Sequence, residues 1–526
     1  MVKRKRSPTP GGDQLPLVEL DVSTLENHLW ASANILRGPV DAADFKTYIF
    51  PLLFFKRISD VYDEELAEAR ALSSGDEVFA RFPENHRFQI PDGCHWDDIR
   101  ATTVNVGYAL VHAMNEIQLA NPDTLYGIFG DAQWANKERL SDALLRTLID
   151  HFSELPLSNR HAQADVLGQA YEFLIKKFAD VTNKKAGEFY TPRSIVRLMI
   201  NILDPREGDT IYDPACGTGG MLIEAIHHVR ESGGNIKSLR GNLFGQERNL
   251  TTSSIARINL FLHGMEDVKI TRGDTLRDPA FYDGDRLATF DCVIANPPFS
   301  LEKWGEELWS SDRFGRNFAG VPPQKSGDYA WVQHMMMAMA RHTGRMAVVV
   351  PHGVLFRMGV EGEIRRKILQ MEQLEAIIGL GPNLFYGTGL AACILVFQSR
   401  KSPERQGTLL VVDASRLFRK GRNQNMLEPE HVAQITEWYN GYQDVPGAAH
   451  VVSLDEVQRQ NWNLNIARYV EAVRDDEQLT VEAALKSLEA ALATAYAAED
   501  RLTTLLRDAG LLTAAGGGMP KDRDDI

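Results

Sequence analysis

The residues best suited to chemistry fall in three places. The first is Asp213-Pro214-Ala215-Cys216-Gly217-Thr218-Gly219-Gly220, which joins a short apolar run to a helical pattern. Glycines let a backbone turn tightly and come close to a ligand, and amides exposed at the loop and helix start suit a carboxylate or phosphate. The segment has neither the Gly-Lys-Ser/Thr ending of a phosphate-binding loop nor the G-x-G-x-x-G spacing of dinucleotide folds. Asp213, Ala215, Gly217, Thr218 and Gly219 are the positions expected to face the ligand. The second place is a pair of acids, Glu247 and Asp274, each at the end of a later apolar run. A carboxylate at a strand end commonly grips ribose hydroxyls, and acids at successive strand ends line one crevice of an open α/β sheet. Taken singly, each acid reads equally well as a loop acid or a helix cap.

The third place is Asn296-Pro297-Pro298-Phe299, directly after the apolar run 290–295. An amino group on an aromatic base is a poor nucleophile, because its lone pair is delocalised into the ring. Acceptors on both of its N–H bonds favour a tetrahedral nitrogen with a localised lone pair. The Asn296 side-chain oxygen and the Pro297 carbonyl can be those acceptors. Prolines fix φ, so the loop is rigid, as a preorganised site requires. Phe299 offers a ring face to a base turned out of its helix. Such stacking contributes about 1–3 kcal/mol, comparable with the few kcal/mol that extrusion costs. In isolation the same four residues describe a stiff turn with a buried Phe.

These segments need a scaffold. After residue 205, short apolar runs alternate with helical patterns. The runs are 210–212, 242–245, 268–271, 290–295, 345–350, 374–380 and 391–398, with helices expected at 221–230 and 329–342. Repeated strand–helix units imply a doubly wound, mostly parallel sheet. The last two runs, separated by a Gly-rich turn, are expected to form an antiparallel hairpin at one edge. Residues 20–155 show helical patterns only, interrupted by a loop rich in Pro, Gly and Asp at 82–98. Residues 479–512 read as one long helix, with Leu485, Leu488, Leu492, Ala495, Leu502 and Leu506 near three-four spacing and Glu499 as a break. The expected divisions are a disordered tail at 1–17, a helical domain at 18–160, a catalytic domain at 161–455, a helical partner-binding region at 456–513 and a disordered tail at 514–526.

Composition narrows the function. The chain has 526 residues and is 44% apolar, enough for about three globular domains. No run approaches the roughly 18 to 20 apolar residues of a membrane span. The start at 1–16 is basic and then Pro/Gly-rich, so no secretory signal is expected. Cys94, Cys216, Cys292 and Cys393 have no paired spacing, so no zinc site or disulfide framework is expected, and the cytoplasm is the expected compartment. A net charge of −14 argues against unaided duplex binding, which needs a clustered basic surface.

Residues 213–220, Glu247, Asp274 and the 296–299 tetrapeptide together resemble the motifs of amino-methylating DNA methyltransferases. The order, with Gly187-Glu188-Phe189-Tyr190-Thr191-Pro192 upstream of both motifs, resembles the gamma class of adenine N6 enzymes. The resemblance implies a class I methyltransferase-type sheet, S-adenosyl-L-methionine as cofactor, and Glu188, Tyr190 and Thr191 near its methionine end. The helical region before the catalytic one and Trp462-Asn463-Leu464-Asn465-Ile466-Ala467-Arg468-Tyr469 are similar to the modification subunit of type I restriction-modification enzymes. That family implies double-stranded DNA, a specificity subunit and a restriction/translocase subunit as partners, with two methylase copies per modification complex. RNA methyltransferases and protein-glutamine methyltransferases carry similar tetrapeptides, and a catalytically silent assembly scaffold is a further class. The segment 300–327 holds Trp304, Trp309, Arg313, Phe314, Arg316 and Lys325. Aromatic and basic residues so mixed suit contacts to an extruded base or strand, and a surface loop has the same composition.

Overall fold

Buried apolar residues recurring every three or four positions build the first part of the chain from helices. The computed structural model describes residues 20–182, 191–385, 389–422, 424–471 and 481–509. The expected tails at 1–17 and 514–526 lie outside these residues. Val22–Leu36 is capped by Asp21, whose carboxylate accepts the Thr24 amide at 2.8 Å, and buries Leu25, Leu29, Ala33 and Leu36. Phe45–Leu72 buries Phe50, Leu53, Phe54 and Phe55 against it and against Ala164–Thr182. No strand precedes residue 211 among the described residues. The same apolar cluster takes in Ile255, Ile258 and Leu262 of the helix Leu250–Leu262. One helix of the α/β part therefore belongs to the core of the helical layer.

Eleven strands follow: β1 Ile211–Asp213, β2 Leu243–Glu247, β3 Lys269–Arg272, β4 Tyr282–Asp283, β5 Arg286–Leu287, β6 Cys292–Ala295, β7 Arg345–Pro351, β8 Leu374–Leu380, β9 Ala392–Gln398, β10 Thr408–Ala414 and β11 Ala449–Ser453. β4 and β5 form a small hairpin, and the other nine make one sheet in the order β11-β10-β8-β9-β7-β6-β1-β2-β3. The block β7-β6-β1-β2-β3 is parallel throughout. Both faces are covered. Ala347 and Val349 of β7 point into one apolar cluster, while Met346, Val348 and Val350 point into the other. This explains why the strands read as near-continuous apolar runs rather than alternating ones.

Three details differ from the sequence reading. The two runs at 374–380 and 391–398 do pair antiparallel, but they do not form an edge. β9 also pairs antiparallel with β7, and β10 and β11 extend the sheet beyond β8. The link between β8 and β9 is too short for a parallel crossover, which needs a dozen or more residues. The helix expected at 329–342 ends at Met337. Residues 472–526 form a second compact unit, whose described helix, Val481–Asp508, runs through Glu499 without a break. Glutamate is a good helix former, so it interrupts the apolar pattern and not the backbone.

The register places the glycine loop tightly. Asp213 at the end of β1 lies opposite Gly245 in β2. A Cβ on Gly245 would sit 2.6 Å from Ile270 Cδ1 and 2.9 Å from Cys216 Sγ. Ile270 can turn aside, but Cys216 is fixed in the loop that follows β1. Gly245→Ala should therefore lower stability by about 1–3 kcal/mol through overpacking, read as a reduced urea midpoint with an unchanged slope. A variant as stable as the parent would show that the loop gives way freely.

Candidate functional site

An open parallel sheet offers its carboxyl edge where the winding reverses. Here the chain leaves β1 toward β2 and β3, and β6 returns to the other side of β1. The three places singled out in the sequence end these strands. Asp213 closes β1, Glu247 closes β2, Asp274 follows β3, and Asn296 follows β6. They surround a cavity of about 290 Å³ lined by Thr191, Asp213, Ala215, Gly217, Thr218, Glu247, Asp274, Asn296 and Pro298, among others.

The loop is held on all sides. The Ala215 amide donates to Asp213 Oδ1 at 3.0 Å, and the Gly217 amide donates to Glu247 Oε2 at 3.1 Å. Asn259 donates to the Thr218 carbonyl at 3.0 Å, and Thr275 donates to the Pro214 carbonyl at 2.6 Å. Gly219 adopts φ +81 and caps the helix Gly220–Glu231, a left-handed conformation that favours glycine. Gly219 turns the chain and does not itself line the cavity. The second oxygen of Glu247 accepts the Asn249 amide at 2.8 Å. Asp274 lies 3.8 Å from Arg248 and 3.9 Å from Arg277.

Burial dominates the electrostatics. Asp213 is 2% exposed, and desolvation pushes its carboxyl up to about 8, against the Ala215 amide and with the help of the Glu247 charge. The carboxyl is thus protonated at neutral pH. Burial also pushes the Cys216 thiol up, with Asp213 and Glu247 adding to the effect, so Cys216 is an inert packing residue.

Asn296 is fixed by one bond and open at one atom. Its amide nitrogen donates to Thr191 Oγ1 at 2.9 Å. Its buried Oδ1 has no hydrogen-bond partner among the described residues. Thr191 was expected beside the cofactor's methionine end; it lines the cavity and also orients Asn296. Glu188 and Tyr190 lie outside the described residues. Pro297 is buried, and neither Pro297 nor Phe299 lines the cavity. Phe299 is half-buried and packs edge-on to Phe385, with centroids 5.7 Å apart at 71°.

Sequence reasoning missed the other wall. Lys46 and Phe50 of Phe45–Leu72 and Glu172, Ile175 and Phe178 of Ala164–Thr182 also line the cavity. Arg193 ties this wall to the helix Gly220–Glu231, reaching Glu172 at 3.1 Å and Glu224 at 3.4 Å. The segment 300–327 also departs from expectation, because most of its aromatic and basic groups face inward. Trp304, Trp309 and Arg316 are at most 2% exposed. Arg316 pairs with Asp312 at 2.6 Å and donates to the Thr275 and Leu276 carbonyls. Trp309 donates to the Leu276 carbonyl at 3.0 Å. These residues brace the loop after β3. Of the six, only Arg313 and Lys325 are exposed.

Known proteins share this arrangement. Residues 162–478 match the N-6 DNA Methylase family, and residues 25–152 match the HsdM N-terminal domain. A methylase subunit of the type I restriction enzyme MjaVII from Methanocaldococcus jannaschii is 31% identical over 482 residues, covering 87% of this chain and 79% of that protein. The MjaIX methylase subunit of the same organism is 27% identical over 523 residues, covering 93% of this chain and 91% of that protein. The crystal structure of a type I restriction-modification methyltransferase subunit from Streptococcus thermophilus superposes with a TM-score of 0.73 at 28% identity, over 86% of this chain and 100% of that one. The matched family spans more than half of the chain, both site motifs lie within it, and the helical part before it is matched as well: the chain belongs to the N-6 DNA methylase family, among the methylase subunits of type I restriction enzymes.

Proposed function

We propose that the cavity binds S-adenosyl-L-methionine and that Asn296, Pro297, Pro298 and Phe299 present an extruded adenine to it. The observation that carries this reading is the buried Oδ1 of Asn296, which has no hydrogen-bond partner among the described residues, beside a cavity lined by acids. A buried acceptor without a donor costs about 1–3 kcal/mol, and an amino N–H of the target base would remove that cost. The donors and acceptors fit the cofactor. Glu247 is placed to accept from ribose hydroxyls, the Thr218 amide in the glycine loop suits a carboxylate, and the buried, protonated Asp213 can donate a hydrogen bond. Ala215, Thr218 and Asp274 complete the lining, and Glu188, Tyr190 and Thr191 are assigned to the methionine end. When bound, the cofactor supplies a methyl group on a positively charged sulfur.

The chain's own contribution is positional and electrostatic. Asn296 Oδ1 and the Pro297 carbonyl accept the two amino N–H bonds and localise the nitrogen lone pair. An amide is not a base at neutral pH, so Asn296 polarises the amino N–H of the base, and the proton leaves to water once the nitrogen carries the methyl group. Pro298 stiffens the turn. Phe299, held by Phe385, offers the base a ring to pack on.

The division of the chain follows the same reading. Residues 18–160 serve as a helical layer, 161–455 as the catalytic part, and 456–513 as the region that meets a partner. Leu485, Leu488, Leu492, Tyr496, Leu502 and Leu505 of Val481–Asp508 are between 43% and 65% exposed, an apolar content suited to another subunit's helices. A specificity subunit would read the duplex, two methylase copies would clamp it, and a restriction/translocase subunit would join them. No helix among the described residues is long and apolar enough to cross a membrane.

Three outcomes test this reading. Asn296→Ala should abolish transfer of labelled methyl to DNA while calorimetry finds cofactor affinity within about threefold, and Glu247→Ala should weaken that affinity about ten- to hundredfold through a lost charge-assisted hydrogen bond. The reverse pattern would exchange or refute the two roles. Deleting residues 479–526 should leave a folded, cofactor-binding chain that no longer co-purifies with a specificity subunit; continued co-purification rules out docking through this helix. The third outcome concerns pH. Between the ordinary carboxyl range and about pH 8 the folded chain keeps a proton on Asp213 that the unfolded chain has lost, so this group makes stability fall as pH rises. From about pH 5.5 to about pH 7.5 the stability of the parent should drop by about 2–3 kcal/mol relative to Asp213→Asn, at up to about 1.4 kcal/mol per unit. Parallel pH profiles for the two would mean that Asp213 is ionised in the fold.

A further inference from the structure

The tetrapeptide is poor in the groups that hold loops in place. Pro297 and Pro298 have no backbone N–H, so the loop's own amides can anchor it at few points. The first residue after it is Ser300, a non-glycine in the left-handed region at φ +48. Such a conformation costs about 1–3 kcal/mol and persists only where the surroundings impose it. Here they do. The Ser300 amide donates to Asp328 Oδ1 at 2.7 Å. Asp328 opens the helix Asp328–Met337 and is 2% exposed.

Asp328 is itself clamped. Its Oδ2 accepts Arg357 Nη2 at 3.0 Å and lies 3.0 Å from the Ser326 hydroxyl. Arg357 Nη1 also donates to Glu361 Oε1 at 2.9 Å, and Glu361 is 5% exposed. One guanidinium thus binds two buried carboxylates through separate nitrogens. Removing one partner of such a buried charge pair costs about 3–5 kcal/mol, so the arrangement is stiff. Two neighbours of the clamp, Leu301 and Trp331, line the cavity.

We propose that Asp328, held by Arg357, is a positioning residue for methyl transfer: it fixes Ser300 and thereby sets where Asn296 and Phe299 stand. This rests on the role proposed above for the tetrapeptide. Asp328 lines no part of the cavity, so its loss should act on the geometry of the loop and not on cofactor contacts.

The test uses the full chain with its partner subunits, unmethylated DNA and labelled cofactor. Asp328→Ala should lower kcat on the order of 10²-fold, the effect of a small misplacement of reacting groups. Its cofactor dissociation constant should stay within about twofold, since an interaction made only in the transition state was lost. Asp328→Asn keeps an oxygen for the Ser300 amide and should retain about tenfold more activity than the alanine variant. Wild-type kcat in both variants overturns the proposal. So does loss of cofactor binding or of folding in both, because the network would then hold the domain and not the loop. Absence of methyl transfer by the unaltered complex would instead refute the reading of the site.

Discussion

The site depends on the pairing of β6 with β1. Ile211 lies opposite Cys292 and Tyr212 opposite Val293 in a parallel ladder, so both strands end on the same edge within a residue or two of each other. That alignment brings Asn296 to the same edge as Asp213 although they lie 83 positions apart along the chain. Because a strand's side chains alternate between faces, a slip of one residue would turn every side chain of β6 to the other face. The slip is prevented from both sides. β7 pairs with β6 over four residues, and Asp291, just before β6, accepts both the Thr210 amide and the Thr210 hydroxyl. Arg345 at the start of β7 adds an ion pair to Asp209 at 2.6 Å.

Given that alignment, the chemistry is arranged by what is missing as much as by what is present. The edge carries acceptors: Asp213, Glu247, Asp274, Asn296 Oδ1 and the Pro297 carbonyl. None of these is a strong base at neutral pH. Acceptors along this edge suit a cationic cofactor and an amino substrate, and the thiol among them, Cys216, is held neutral. The proposed transfer therefore draws on orientation and preorganised dipoles, which act most strongly where water is excluded. Stiffness matters accordingly, and it is supplied from outside the motif by Thr191, Asp328 and Arg357.

What could be read from the sequence was local. The glycine loop, the two acids and the tetrapeptide each carry their signal in a few consecutive residues, and each sits at a strand end because the apolar run before it is a strand. β10 carries a similar but shorter signal, Leu409 to Val412, between polar flanks; β11 is short, and its apolar residues make no long run. Burial was harder to read than type. Trp304, Trp309 and Arg316 looked like an exposed, ligand-seeking set, because composition does not reveal that Asp312 and two backbone carbonyls satisfy the guanidinium. The cavity wall made by Lys46, Phe50 and Glu172 had no readable signal. Those residues lie in amphipathic helices, and only long-range packing decides which positions meet the sheet.

That packing explains why the helical layer belongs to the catalytic unit. The helix Leu250–Leu262 sends Ile255, Ile258 and Leu262 into the helical core, while Thr252 and Ile255 also line the cavity and Asn259 holds the Thr218 carbonyl. One helix therefore has three duties: it covers the sheet, completes the core of the preceding layer and supports the glycine loop. Burying three large aliphatic side chains contributes about 1.5–3 kcal/mol each, so separating the layers would expose that surface and loosen the loop together. Motion between the layers would change the cavity wall and the loop's support in the same step. Any partner that shifts the helical layer would thus act on the cavity through this helix, without touching the tetrapeptide.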